Sequence, residues 1–520
     1  MTSTTLAPPD TGHEAGPSRA ALPVLLAGTF ISLLDFFIVN VALPDTQRTL
    51  HAGPSAIQFI VAGYGLALAA GLITAGRLGD LYGRRRLYVI GLSLFTLASA
   101  ACGVAPSAGF LVAARVVQGA AAALLMPQIL GIISTIYTGP KRAKAFTAYA
   151  LAIGFGAVFG QLIGGVLIRL DVAGLGWRTI FLINIPIGVA AAVLALRVVP
   201  ESKAQGAARI DLVGTVLLSL GLVAIVLPLV EGQQQGWPAW TFGCLAASVP
   251  LLAAFAGYQV RLAARNGSPL INLALFRARA FSAGVITSMT YQLMMASFFL
   301  LLALYLQDGR GLSALQSGLI FLPLGAGYFV ASTQSGKVAL RLGRQVLTLG
   351  SLMVSAGYLL LAFAVHDGTG WLIPGLAIAG AGMGFAMTPM PAIVLSRVKP
   401  DHAATAAGVL STAQQAGGAI GVALIGVVFY HALGGGSYAH AFQVGLEVMA
   451  ALGLAVAALV QLLPRASLAG RQYRYRTPSG GAVRERVCVR VPGHQRNPGG
   501  AAAARNEAVV TPPSLSGIAA

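Results

Sequence analysis

The sequence predicts an all-α polytopic membrane protein, and three observations lead to this fold class: an apolar composition, long uncharged stretches at regular intervals, and basic residues that concentrate in alternate loops. The chain of 520 residues is 56% hydrophobic and only 9% charged, with a mean hydropathy of +0.78. A soluble domain carries roughly 25% charged residues. Since about 20 apolar residues cross the hydrocarbon layer, fourteen stretches of this kind, each with at most one charged residue, predict fourteen transmembrane helices.

The predicted spans follow one another with short polar breaks along most of the chain. In order, they are Leu22–Leu43, Ile57–Leu78, Leu87–Ala105, Phe110–Ile136, Phe146–Ile168, Thr179–Leu196, Leu212–Val230, Thr241–Val260, Phe281–Leu306, Ser317–Leu340, Leu347–Val365, Trp371–Leu395, Thr405–His431 and Phe442–Leu463. Each stretch is long enough to cross the bilayer as a helix.

Arginine and lysine residues concentrate in every second loop. Loops after even-numbered spans, together with the adjoining span ends that carry Arg77 and Lys337, contain nineteen of them. Loops after odd-numbered spans contain four, namely Arg48, Arg169, Arg178 and Arg310. By the positive-inside rule we expect the even loops and both termini to be cytoplasmic. The net charge of +19 therefore orients the chain in the cytoplasmic membrane, and no nucleic-acid partner is needed to explain it.

Both ends of the chain differ in composition from the spans. Residues 1–20 are rich in Pro, Thr and Ser and lack a basic cluster before an apolar core, which favours a disordered cytoplasmic N-terminus over a cleaved signal peptide. Residues 464–520 are rich in Arg, Gly, Pro and Ala, which predicts a disordered basic tail that touches anionic membrane lipids. The cysteines Cys102, Cys244 and Cys488 offer neither a disulfide framework nor metal-ligand spacing, so we expect no metal and no cofactor.

Two short motifs occur twice. The stretch AGRLGDLYGRRR, residues 75–86, follows the second span, and the weaker copy GKVALRLGR, residues 336–344, follows the tenth. A second echo pairs QLIGG at 161–165 with QQAGG at 414–418. Repeats of this kind are common in secondary transporters and predict two related halves. The predicted parts are a six-helix half at 21–198, a linker with two extra helices at 199–279, and a second six-helix half at 280–463.

Five motifs, in the family's order, resemble the major facilitator superfamily, specifically its fourteen-helix drug:proton antiporters of the QacA/EmrB type. They are LLDFFIVNVALP in the first span, GRLGDLYGRRR after the second, RVVQGAAAA in the fourth, FGQLIGG in the fifth and WRTIFLINIPIG entering the sixth. The resemblance runs from about Leu22 to Leu463. It implies a major facilitator fold and a transporter, with no enzymatic activity and no catalytic residues.

The charged loop after the second span reads as a tight turn between two helix ends, since Gly79 and Gly83 permit close backbone approach or positive φ. The resemblance implies that this loop latches the two halves together in the outward-facing state. The residues it assigns to this latch are Gly76, Asp80, Gly83 and Arg84.

Two other features of the loop qualify the latch. Arg85 and Arg86 are expected to serve topology alone. The second copy of the motif has Leu340 where the first has Asp80. A charged latch on the C-terminal half is therefore expected to be weaker or absent.

Three ionisable residues other than histidine lie well inside the predicted spans: Asp35, Arg115 and Glu447. A charge at the bilayer centre costs roughly 2.5–3.5 kcal/mol, so such groups usually face a cavity or a partner. Asp35 can change its proton occupancy with conformation, which suits a coupling site, or it can form a permanent structural pair with Arg115. The resemblance implies proton coupling for Asp35 and Arg115. Glu447, near the outer surface, is expected to be a non-essential carboxylate that reaches toward water, and the alternative is a substrate contact.

The fifth span carries small residues at helical spacing. Gly156, Gly160 and Gly164, with Gly165 beside them, predict a groove against which another helix packs closely, either as generic packing or as an interface that permits rocking. In the family this motif contains a proline and is associated with export, whereas here Gln161 replaces the proline. Gln161 is instead able to hydrogen-bond across helices.

Aromatic, methionine and amide side chains in the spans predict an amphipathic cavity for bulky lipophilic compounds. The candidates for its lining are Phe36, Asn40, Gln118, Tyr291, Gln292, Met294 and Gln414. The ninth to thirteenth predicted spans contain no acidic residue, which argues against specialisation for divalent cations.

Together these features predict a proton-coupled exporter of lipophilic drugs, antibiotics or related natural products, functional as a monomer. Two alternatives remain open at this point. One is a proton-coupled importer or symporter of the same fold, and the other is a membrane sensor that binds a ligand without moving it.

Overall fold

The computed structural model describes residues 20–203, 210–265, 267–396, 398 and 403–463. Within these ranges the regular structure is helical and contains no β-strand. Residues 1–19 and the tail 464–520, for which the sequence predicts disorder, lie outside the described residues.

Fourteen long helices form the described part of the chain. They are α1 (Ala21–Leu50), α2 (Pro54–Tyr82), α3 (Arg84–Gly103), α4 (Ala108–Ile136), α5 (Gly139–Leu170), α6 (Gly176–Val198), α7 (Leu212–Gln234), α8 (Ala239–Ala264), α9 (Arg279–Gly309), α10 (Ala314–Leu342), α11 (Gln345–Ala364), α12 (Thr369–Leu395), α13 (Ala403–Gly434) and α14 (Tyr438–Leu462). By length and composition, thirteen are able to cross a membrane, and α5, with 32 residues, is the fourteenth long helix. Their order agrees with the fourteen predicted spans.

Proline residues explain the irregular points in three of these helices. A proline has no N–H to donate, and its ring clashes with the carbonyl one turn earlier. Accordingly α6 is interrupted at Ile183, three residues before Pro186, and α10 is interrupted at Phe321, just before Pro323. In α12 the regular helix stops at Met387 and resumes at Met390, on either side of Pro389.

Matching helix pairs relate the two halves. In the first half α1 packs on α5, α4 packs on both α2 and α3, and α3 packs on α6. In the second half α9 packs on α13, α12 packs on both α10 and α11, and α11 packs on α14. The same four contacts therefore recur at a constant offset of eight helices, which is the arrangement that two six-helix halves with a two-helix insertion produce.

The halves meet along two pairs of helices, α2 with α13 and α5 with α10. We call the end of the bundle with the α2–α3 loop the basic face, and the other end the gate face. At the gate face Gln307 of α9 donates a hydrogen bond of 2.8 Å to the backbone carbonyl of Val41 in α1. A side chain on Gly165 of α5 would approach the backbone of Ala314 in α10 to 2.6 Å.

Contacts between the halves become looser toward the basic face. A Cβ on Gly426, near the gate face, would collide with the Gln58 side chain of α2, whereas a Cβ on Gly408, near the basic face, would only touch Ile73 at 3.7 Å. The halves are therefore closed at the gate face and less tightly joined at the basic face.

The inserted helices lie beside this bundle. Helix α7 packs on α2, α13 and α8. At the gate face Gln234 of α7 contacts the Ser55 hydroxyl of α2 at 2.5 Å, and nearer the basic face the hydroxyls of Thr74 and Thr215 lie 2.7 Å apart. Asp211 caps α7 through a hydrogen bond of 2.7 Å from the Gly214 amide. Helix α7 is thus anchored to a helix of the first half at both ends.

One expectation about charge is wrong. The ninth predicted span ends at Leu306, but α9 continues through a π-helical turn, Tyr305–Gly309, and therefore includes Asp308. An acidic side chain thus lies in one of the helices that sequence reasoning treats as free of acids. Glu447 of α14 is exposed and accepts a hydrogen bond of 3.0 Å from Gln443.

Candidate functional site: a buried ion pair beside an apolar cavity

Asp35 of α1 and Arg115 of α4 form a salt bridge in which neither side chain is exposed (0% each). The second oxygen of the Asp35 carboxylate accepts hydrogen bonds of 2.9 Å from Gln118 and 2.9 Å from Asn184. Arg115 also donates to the Gln118 amide oxygen at 2.7 Å and to the backbone carbonyl of Ile60 at 3.0 Å. An ionised carboxylate in this environment is therefore stabilised by three side chains from two other helices.

Local helix geometry brings these groups together. Arg115 and Gln118 are three residues apart in α4, so both side chains project from the same face toward α1. Asn184 follows the interruption of α6 at Ile183. Its amide also donates to the Ser99 hydroxyl of α3 at 3.0 Å, which fixes the amide orientation.

An aromatic side chain lies between Arg115 and a cavity that the two halves enclose. The guanidinium of Arg115 lies over the ring of Tyr64, 4.4 Å from its centroid. Such cation–π contacts stabilise a desolvated arginine. Tyr64 also lines the cavity, and its ring lies 5.9 Å from that of Phe36. A change in the ion pair can therefore reach the cavity through one side chain.

The cavity lies at mid-depth between the two halves, with a volume of about 150 Å³. It is mostly apolar, and no charged side chain lines it. Its lining consists of Ser32, Leu33, Phe36, Phe37, Tyr64, Leu68, Met126, Gln292, Met295, Phe299, Leu324, Tyr328, Met383, Met387 and Gln415. Sites for drug-sized ligands usually measure about 300–1,000 Å³, so the halves must separate further to admit such a ligand.

Two of the predicted lining residues, Phe36 and Gln292, line this cavity, and the other five lie outside it. Gln118 belongs to the ion-pair cluster, and the Asn40 amide donates to the Phe37 carbonyl at 3.1 Å. The remaining three are Tyr291, Met294 and Gln414, none of which lines the cavity.

Helix periodicity explains these placements. Gln292, Met295 and Phe299 share one face of α9 because they are three and four residues apart. Tyr291 and Met294 precede two of them by one residue and are rotated by about 100° on the helix. The same displacement separates Gln414 from Gln415. Residue type identifies the right helices, whereas the face depends on the packing of neighbouring helices.

Several site residues escape sequence reasoning. Asn184 lies within WRTIFLINIPIG, so a polar side chain beside a proline in an apolar span is the signal for it. Tyr64 and Ser99 carry no such signal, because tyrosine and serine are common in membrane helices. Their roles emerge only from the contacts with Arg115 and Asn184.

The glycine stripe of α5 packs directly on α1. A Cβ on Gly156, Gly160 or Gly164 would approach Leu33, Phe37 or Val41, respectively, to between 2.6 and 3.0 Å. Only glycine permits this close approach of two helices. The α13 copy packs in the same way on α9, since a Cβ on Gly417 would collide with the Met289 carbonyl oxygen.

Gln161 occupies a junction of three helices. Its buried side-chain amide donates a hydrogen bond of 2.8 Å to the Phe37 carbonyl of α1. Its own backbone carbonyl would lie 2.7 Å from a Cβ on Gly318 of α10, so α10 packs against it. The residue that replaces the family's proline thus ties α5 to α1 beside the contact between the halves.

The charged loop at the basic face forms a compact turn. Gly83 ends α2 with φ of 112°, a conformation that favours glycine. Arg84 donates to the Asp80 carboxylate at 2.8 Å and to Thr135 of α4 at 2.7 Å. Both partners of this ion pair lie within the first half. A Cβ on Gly76 would meet Pro127 only at 3.7 Å, which is ordinary contact.

A residue of the segment between α6 and α7 completes this turn. The Glu201 carboxylate accepts hydrogen bonds from the backbone amides of Arg85 and Arg86 at 3.0 and 3.1 Å. An acidic group at this position satisfies free amides at the N-terminus of α3.

Among the residues that the structure describes, no three His, Cys, Asp or Glu side chains are grouped as a metal site.

This arrangement defines a class of protein: a helical membrane transporter with a buried ion pair beside a central cavity. The chain belongs to the Major Facilitator Superfamily, whose family model matches residues 25–422. It is therefore a multi-pass membrane transporter and not an enzyme.

Three named relatives align with most of this chain. The probable actinorhodin transporter of Streptomyces coelicolor is 40% identical over 434 residues, which cover 81% of this chain and 75% of that protein. Multidrug resistance protein Stp of Mycobacterium tuberculosis is 35% identical and the tetracenomycin C resistance and export protein of Streptomyces glaucescens is 33% identical, each covering 79% of this chain and 76% of its own length.

Solved structures share the fold at low sequence identity. A POT family peptide transporter superposes with a TM-score of 0.63 at 15% identity, covering 85% of this chain and 96% of its own. A D-xylose–proton symporter gives 0.61 at 15% identity, with 85% and 97% covered. These similarities concern the arrangement of helices.

Proposed function

We propose that this protein exports lipophilic antibiotics or related natural products across the cytoplasmic membrane in exchange for protons. The observation that carries the proposal is the position of Asp35: a fully buried carboxylate paired with Arg115, whose guanidinium lies over Tyr64 of the cavity wall. The relatives named for actinorhodin, tetracenomycin C and multidrug resistance support the substrate class.

Proton coupling follows from the energetics of the pair. Protonation of Asp35 removes the charge that holds Arg115 and frees Gln118 and Asn184 to rearrange. A proton that moves inward releases about 2.3 kcal/mol per 100 mV and about 1.4 kcal/mol per pH unit. This is enough to drive export of a neutral solute against a substantial gradient without ATP.

The cavity supports a lipophilic substrate. Four methionines, five aromatic side chains and no charged group line it, and methionine adapts its shape to varied ligands. Ser32, Gln292 and Gln415 supply a few hydrogen-bonding groups among this apolar surface. Such a lining recognises bulky aromatic compounds by shape and stacking more than by charge.

We infer that the basic face is cytoplasmic and that both termini lie on that side, because the arginine-rich loops follow the even-numbered helices. The closed gate face then points outward, so the chain is in an inward-facing conformation. The Asp80–Arg84 pair, which lies within the first half here, is proposed to engage the second half when the basic face closes. The proposed parts are the first six-helix half at residues 21–198, the linker at 199–279 and the second six-helix half at 280–463. The protein is proposed to function as a monomer in contact with membrane lipids.

An importer or symporter of the same fold is the main alternative, and Gln161 in place of the family's proline is the observation that favours it. A membrane sensor that binds a ligand without moving it is the weaker alternative, because such a protein needs no buried carboxylate that exchanges a proton. Inside-out vesicles with an acidified lumen separate the three. An antiporter accumulates a fluorescent lipophilic substrate inside as protons leave, a proton symporter moves the substrate outward with the protons, and a sensor moves none.

A further inference from the structure

The gate face contains a carboxylate that the ion-pair site does not explain. Helix α9 ends in the π-helical turn Tyr305–Gly309, in which the Arg310 amide donates to the Tyr305 carbonyl at 2.9 Å. Turns of this type are uncommon and often mark functional positions. This one carries Gln307, which bonds to α1 across the two halves, and Asp308 directly after it.

The Asp308 side chain is partly buried, and one of its two oxygens is enclosed without a hydrogen-bond partner. The charged side chains that act on it are both on α1 of the other half: Arg48 attracts the carboxylate and Asp45 repels it. Arg48 is already bound to Asp45 at 2.6 Å. Tyr438 of α14 packs against the adjacent Gly309, where a Cβ would lie 2.7 Å from the Tyr438 Cβ. Tyr430 of α13 also interacts electrostatically with Asp308.

Neighbouring groups on its own segment do not neutralise Asp308. Arg310 donates to the backbone carbonyl of Asp367 at 2.6 Å, and the Tyr305 hydroxyl donates to that of Val365 at 2.6 Å. The Tyr430 hydroxyl is buried without a partner as well. An ionised Asp308 would therefore lie in the closed gate with incomplete compensation.

The protonation state of Asp308 consequently affects the gate. Burying an ionised carboxylate without full pairing is unfavourable, and protonation removes this penalty. When the halves separate at the gate face, water also reaches the enclosed oxygen of the carboxylate, and the charged form is no longer penalised. A proton bound from the outside thus stabilises the closed gate relative to the open one.

We propose that Asp308 is a second proton-binding carboxylate of the transport cycle, which takes a proton from outside while the gate is open and thereby favours its closure. The proposal rests on proton-coupled transport and on the outward orientation of the gate face. It gives the external proton a role distinct from that of Asp35, since it returns the empty protein to the conformation in which the cavity faces inward.

The test measures opening of the gate instead of transport. Gln58 of α2 is 1% exposed and contacts α13 at the gate, so Gln58→Cys reports opening through its reaction with a membrane-impermeant maleimide added to intact cells. Cys244→Ser removes a half-exposed native thiol, and His366→Cys, exposed at the same face, corrects for the pH dependence of thiol reactivity. The ratio of the two labelling rates is measured at external pH 5.5, 6.5 and 7.5.

We expect this ratio to rise several-fold from pH 5.5 to 7.5. In Asp308→Asn, which mimics the protonated acid, it should remain low at every pH, and in Asp308→Glu the pH dependence should persist. An unchanged pH response in Asp308→Asn, or a response absent from the parent, overturns the proposal. Failure of proton-driven export is a separate result, because it appears in the vesicle assay and leaves the labelling ratio unaffected.

Discussion

Tyr64 contacts both the cavity and Arg115, so a single aromatic side chain joins the substrate site to the buried ion pair. The Asp35 carboxylate on the other side of Arg115 has no direct contact with the cavity. In the proposed cycle, proton binding and substrate binding are therefore coupled through the position of Arg115 and Tyr64, and the two ligands do not need to occupy the same point.

Loss of either Asp35 or Arg115 alone should destabilise the protein more than the loss of both charges together. Arg115→Leu leaves Asp35 buried without its partner, and removal of one member of a buried pair typically costs about 3–5 kcal/mol. We expect the double variant Asp35→Asn, Arg115→Leu to recover much of this loss without recovering transport. Thermal unfolding of the purified protein in detergent checks the expectation, and additive losses in the double variant would contradict it.

Two adjacent methionines on α9 provide a matched test of the cavity. Met295 lines the cavity, whereas Met294 is buried away from it. Met295→Ala should therefore change the relative resistance to different lipophilic compounds. Met294→Ala should lower the unfolding temperature by leaving a cavity in the core, with the relative resistances retained. Equal substrate profiles for the two variants would argue against this site.

The packing of α5 on α1 depends on glycine. A Cβ at Gly164 would lie 2.6 Å from Val41, whereas nothing lies within 4 Å of the Cβ position at Gly257 of α8. Gly164→Val should destabilise the protein by about 1–3 kcal/mol through overpacking and should impair transport. Gly257→Val serves as the control and should retain both properties, as judged by unfolding temperature and efflux rate.

The charged loop should matter for transport more than for insertion. Asp80→Ala removes the partner of Arg84, whose surface ion pair itself contributes only about 0–1 kcal/mol to stability. We expect normal amounts of inserted protein and a strongly reduced efflux rate. Arg86→Gln removes an exposed charge of the same loop and should transport normally. An active, well-inserted Asp80→Ala variant would count against a latch.

Sequence reasoning reaches the architecture of this protein because hydrophobic length and the alternation of basic loops are themselves the determinants of a membrane fold. Asp35 and Arg115 are recognisable because a charge in an apolar span requires a partner. Asn184 and Tyr64 are not, since their importance comes from contacts among α1, α2, α4 and α6 that no single segment reveals.

Inexact span boundaries and helix faces explain why the sequence did not identify three further residues of interest. Asp308 was missed because α9 extends three residues beyond its predicted end through a π-helical turn. Met295 and Gln415 were missed by one residue each, since a shift of one position rotates a helical side chain by about 100°. Helix faces therefore need tertiary contacts for their assignment, whereas helix identity does not.

Efflux from cells that express the wild type, Asp35→Asn or Glu447→Gln tests the central claim most directly. Each strain is loaded with a panel of lipophilic antibiotics and dyes, and efflux is measured with and without an uncoupler at matched amounts of inserted protein. We predict uncoupler-sensitive efflux for the wild type and Glu447→Gln, whose carboxylate is exposed, and none for Asp35→Asn. Efflux that is unaffected by both the uncoupler and Asp35→Asn would contradict proton-driven export through this carboxylate.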